Sequence, residues 1–148
     1  MRRLLLISSA VLLLVVVTQF YLAAYGAFGD RDVTSGFHAH EWVARTALPV
    51  FGILVIVAAV GSRLGRRVVW LSTVPLIVTV VQFLLFFVAR AVGSDTYPGG
   101  ASLAGAIVLG FHALFGLAAL AATVTLVRIG WGVRRGATTA SEPSAPVA

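Results

Sequence analysis

The stretch RRVVWLSTVPLIVTVVQFLLFFVAR, residues 66–90, decides the fold. Its apolar run, Val68–Val92, spans about 25 residues, where a helix needs about 20 to cross roughly 30 Å of hydrocarbon. Backbone groups left unsatisfied in lipid are costly, so an unbroken run of this kind is expected to span as a helix. Three similar runs accompany it: Leu4–Tyr25, Phe37–Val60 and Leu103–Val127. Apolar residues make up 59% of the 148-residue chain and charged residues 11%, and mean hydropathy is +1.01. These values predict an all-α fold, an integral membrane four-helix bundle occupying residues 1–135. Residues 136–148 lack periodicity and read as a disordered cytoplasmic tail.

Working outward, charge supplies the topology. Eight of the eleven basic residues, all arginine, fall in three groups at alternate ends of the runs: Arg2-Arg3, Arg63-Arg66-Arg67 and Arg128-Arg134-Arg135. The positive-inside rule makes those ends cytoplasmic, with both termini inside and Asp30, Asp32 and Asp95 outside. Tyr21, Tyr25, Trp42 and Tyr97 then fall near the outer interface, Trp70 and Trp131 near the inner one. The expected location is a bacterial inner membrane, multi-pass, and the lipid bilayer is the first partner. Nucleic-acid binding is excluded, because the arginines flank apolar runs and form no basic face with aromatic readers. The Arg2-Arg3 start and Ala24-Tyr25-Gly26-Ala27 resemble a secretory signal, but the apolar stretch is long for one, so helix 1 is expected to remain.

Cysteine is absent and Met1 is the sole methionine, which leaves no thiolate or thioether chemistry. No phosphate loop, nucleophile triad or zinc spacing is present, and enzymatic activity is not expected.

A short string is written twice, Gly36-Phe37-His38-Ala39 and Gly110-Phe111-His112-Ala113. Each copy follows a helix bearing a Gln-Phe pair, Gln19-Phe20 and Gln82-Phe83. Helices 1–2 and 3–4 thus read as two parallel-repeat hairpins, an arrangement that places sites between the halves. Gln19 lies 16 residues from Arg3 and Gln82 15 from Arg67, so the glutamines share one level. His112 joins that level if Arg128 marks the inner edge, and matches His40 if Arg134 does. The sequence leaves both open.

Polar side chains inside a membrane need partners and mark the place to look for function. One reading is a structural Gln19/Gln82 polar layer clasping the helices, in a structural or accessory protein associated with other membrane subunits or with itself. A second is a b-type haem between helices 2 and 4, with iron ligands His40 and His112 and His38 as an alternative, carrying electrons to an acceptor such as quinone. Ala44 and Gly116, each one turn beyond a candidate ligand, would leave room for the macrocycle. Arg45 and Arg90 would face propionates, or Arg45 would pair with Glu41 four residues earlier. A third reading is a small transporter or transporter subunit.

The series VVVTQFYLAAYGAF, FHAH, VQFLL and FHALFG resembles a group of small bacterial four-helix membrane proteins filed as a domain of unknown function. That resemblance spans about residues 10–128 and matches Gln19, His40, Gln82 and His112 to its pattern. More distantly, the chain is similar to one half-bundle of haem A synthase, which implies His40 and His112 as ligands. In that half-bundle an acidic residue precedes the helix-2 histidine, whereas here Glu41 follows it. The resemblance therefore implies cofactor binding and not catalysis.

Overall fold

A computed structural model describes residues 1–28, 35–92 and 102–139. Five helices follow in order: α1 (Arg2–Phe28), α2 (Ser35–Arg45), α3 (Ala47–Ser62), α4 (Arg66–Ala91) and α5 (Leu103–Thr139). Among the described residues there is no strand. Four spans, Arg2–Phe28, Phe37–Ser62, Arg66–Ala89 and Leu103–Arg135, are long and apolar enough to cross a membrane. They are apolar all round, and Leu14, Ile53, Val80 and Leu117 face outward on different helices, as expected of helices surrounded by lipid.

The single second helix expected over residues 37–60 is broken at Thr46, between α2 and α3. Pro49 explains the break, since it offers no N–H to the Arg45 carbonyl one turn earlier. Thr46 sits at φ −114°, ψ −66°, and its hydroxyl donates to the Trp42 carbonyl at 2.7 Å. The last helix passes its expected end at Val127 and runs through Arg128, Arg134 and Arg135 to Thr139. Leaving the apolar zone does not stop a helix when the residues that follow include good helix formers. The tail expected from residue 136 therefore begins helically, and residues 140–148 lie outside the described residues.

Going round the bundle, α1 packs on α2, α3 and α5, and α4 packs on α3 and α5. The broken helix α2/α3 is therefore diagonal to α5. Unlike α3, α2 has no comparable packing on α4 or α5. Antiparallel neighbours bring the arginine groups to one end. Met1 lies against Gly61, Leu6 against Gly130, and Arg67 shares a cleft with Ile129.

The tight core fills the arginine-bearing half. Leu5, Leu12, Val16, Val55, Ala58, Ala59, Val68 and Leu126 form its buried cluster. At Gly130 a Cβ would stand 3.0 Å from the Leu6 Cα, so the missing side chain lets α5 and α1 approach closely. Buried hydroxyls turn back on their own helices, Ser72 to the Val69 carbonyl and Thr123 to the Ala119 carbonyl, both at 2.6 Å. One level outward from Val16, the buried side chain of α1 is Gln19.

Candidate functional site

Each hairpin makes the same long-range bond. Gln19 Nε2 donates to the His40 carbonyl at 3.1 Å, and Gln82 Nε2 donates to the His112 carbonyl at 3.2 Å. Those carbonyls belong to helix interiors, so the amides add a second donor to acceptors with a free lone pair. The pairing shows which residues of the repeat are equivalent: His112 corresponds to His40, two residues beyond the histidine of the written string. His38 is exposed and stands outside the pair.

The two equivalent imidazoles meet. Their ring centroids are 6.0 Å apart with planes inclined by 55°. His112 is thus level with His40, as expected when Arg134 marks the inner edge. His40 Nδ1 lies 3.1 Å from the Gln19 backbone carbonyl. A carbonyl only accepts, so Nδ1 carries the proton and Nε2 keeps its lone pair. Gln19 thereby holds both the backbone and the ring of His40.

The layer is not saturated. Gln19 Oε1, Gln82 Oε1 and His112 Nδ1 are buried and, among the described residues, without a hydrogen-bond partner. Groups of this kind are few in folded proteins and each calls for a reason. Two aromatic rings close the sides. Phe86 meets His112 edge-on at 5.1 Å, and the Phe20 ring tip would lie 3.3 Å from a Cβ on Gly116. The space expected beside Gly116 is therefore occupied by Phe20. Phe20 stood out only as part of the repeated Gln-Phe pair and Phe86 not at all, although Phe86 sits one helical turn beyond Gln82 and so shares its face.

Glu41 and Arg45 form an ion pair one turn apart on an exposed face of α2. Arg90 and Tyr97 belong to positions whose side chains lie outside the described residues. Among the described residues no cluster of three or more His, Cys, Asp or Glu side chains forms a metal-binding group.

Similarity to a family model covers part of the chain and brings no activity with it. Residues 19–90 match DUF6220, a family of unknown function. The matched segment begins at Gln19 and includes His40 and Gln82, and it ends before α5 and His112. The chain matches no curated protein and no solved structure.

Proposed function

We propose that the protein is a membrane-spanning b-type haem protein in which His40 and His112 hold the iron between diagonal helices. The observation that carries this reading is the imidazole pair, 6.0 Å between centroids. Two metal–nitrogen bonds of about 2 Å, plus roughly 1 Å from each ring nitrogen to its centroid, span about 6 Å along a straight line. The Gln19 carbonyl supports it by fixing the His40 ring and tautomer, the role that second-shell acceptors play for metal-bound histidines. The unpartnered polar atoms of Gln19, Gln82 and His112 fit a layer built around something other than itself. The weak packing of α2 on α4 and α5 fits a broad group between them.

A haem held by His40 and His112 would supply one-electron transfer. The residues of the chain set its conditions. Phe86 edge-on to His112 and Phe20 against Gly116 would flank it with apolar surface, and the glutamine amides hold the two ligand-bearing backbones. Glu41 and Arg45 follow His40 towards the arginine-bearing end, and Arg45 would meet a propionate only by leaving Glu41. The arginine-rich end faces the cytoplasm of a bacterial inner membrane on the positive-inside rule, which puts the imidazole pair nearer the opposite face.

The test is a reduced-minus-oxidised visible spectrum of protein purified in detergent from haem-replete cells. Sharp Soret and α bands are expected, lost in His40→Ala and in His112→Ala and kept in His38→Ala. Colourless wild-type protein overturns the reading. A purely structural polar layer in an accessory subunit is favoured by one observation, the two glutamine-to-carbonyl bonds. It would show no bands and would lose stability when Gln82 is replaced by Leu.

A further inference from the structure

A second site lies at the opposite, arginine-bearing end. An apolar cleft of about 760 Å³ opens between α4 and α5, lined by Arg67, Trp70, Leu71, Val74, Thr125 and Ile129. The α4 residues fall at i, i+3, i+4 and i+7, a single helix face with the arginine at its end and apolar side chains below. Thr125 adds no polarity, because its hydroxyl donates to the Ala121 carbonyl at 2.8 Å. Ile129, one turn further along α5, completes the facing wall.

The mouth of the cleft is cationic in three ways. Arg67 makes no ion pair among the described residues. The Arg66 guanidinium stands 6.0 Å above the Trp70 ring, which holds a second positive charge beside it. The α4 hydrogen-bond ladder begins with the Val68 and Val69 amides on the Gly65 carbonyl, and the first turn contains no acidic residue. The amides of Arg66 and Arg67 thus stand ahead of the ladder at the positive end of the helix dipole.

The geometry points to a binding site for one anionic phospholipid. Its phosphate would sit on Arg67 and the α4 N-terminus, and one acyl chain along Trp70, Leu71, Val74 and Ile129. Charge complementarity selects the occupant. A zwitterionic lipid gains little from the arginine-rich end, whereas a net negative headgroup meets an uncompensated guanidinium and a bare helix start. The site does not depend on the imidazole pair, so it stands or falls separately.

Native mass spectrometry of the full chain in detergent tests it, with phosphatidylglycerol and phosphatidylcholine of identical acyl chains as probes. Wild type is expected to bind phosphatidylglycerol at least about fivefold more tightly, the factor associated with one arginine near a membrane surface. Arg67→Gln should bring the two lipids within twofold, and Arg63→Gln, on the preceding turn, should keep the preference. Val74→Trp, which fills the cleft, should weaken both lipids. An unchanged preference in Arg67→Gln, or equal losses in Arg67→Gln and Arg63→Gln, overturns the site. Should Val74→Trp unfold, the exposed Arg67→Gln and Arg63→Gln pair decides alone.

Discussion

Replacing Gln82 by Leu separates a structural clasp from a layer kept for function, because the two predict opposite signs. Gln82 contributes one bond, Nε2 to the His112 carbonyl at 3.2 Å. Such bonds between membrane helices average about 0.6 kcal/mol. The His112 carbonyl keeps its own helical donor, so losing the amide strands no acceptor. On the other side, Gln82 Oε1 is buried with no partner, and an unsatisfied buried polar group costs about 1–3 kcal/mol. Leucine is of similar size and removes that cost. The balance is a stability gain of about 0.5–2 kcal/mol in haem-free protein. Equilibrium unfolding in mixed micelles at rising SDS fraction reads it, with the single variant beside wild type. A loss of more than about 1 kcal/mol would refute the reasoning and establish the clasp.

Gln19→Leu should leave the His40 ring in place, because the acceptor of Nδ1 is the Gln19 backbone carbonyl. The imidazole resonances should stay at their wild-type shifts in nitrogen-15 spectra, and a change of tautomer would contradict this. Two glycines of α5 should respond in opposite senses. Gly110→Ala meets nothing within 4 Å and should stabilise by up to about 1 kcal/mol. Gly130→Ala drives a Cβ to 3.0 Å from the Leu6 Cα and should cost roughly 1–3 kcal/mol, read in the same SDS titration. Gly65→Ala, at φ +100°, should cost on the order of 1–3 kcal/mol without altering any spectrum. Glu41→Gln removes an exposed ion pair and should shift stability by less than about 1 kcal/mol.

The helical spans were legible because run length and apolarity act locally: about 20 apolar residues dictate a helix wherever the chain places them. The Thr46 break was half legible. Pro49 announced a lost hydrogen bond, but whether the chain bends or merely omits a bond depends on how Thr46 and Trp42 accommodate it. The far end of α5 was not legible, since charge marks a membrane edge and does not terminate a helix. At the site, the sequence named Gln19, Gln82, His40 and His112 but could not align them. The written repeat favoured His38, the small residues Ala44 and Gly116 and the family pattern favoured His40, and the Gln19 bond to the His40 carbonyl shows the two-residue offset. Phe20 beside Gly116 was out of reach for another reason. Small residues look the same in sequence whether they make room for a ligand or for a neighbouring ring.

One consequence follows from the matched bonds of the two hairpins. Each half of the chain supplies one amide and one imidazole, and neither half holds a complete pair. The imidazole contact therefore reports assembly: a first hairpin released into the bilayer alone presents His40 to lipid until the second arrives. Anything that bridges the rings would lock the two halves into one cooperative unit. Residues 1–64 and 65–148, made as separate polypeptides, would then be recovered together in higher yield when that bridge is in place.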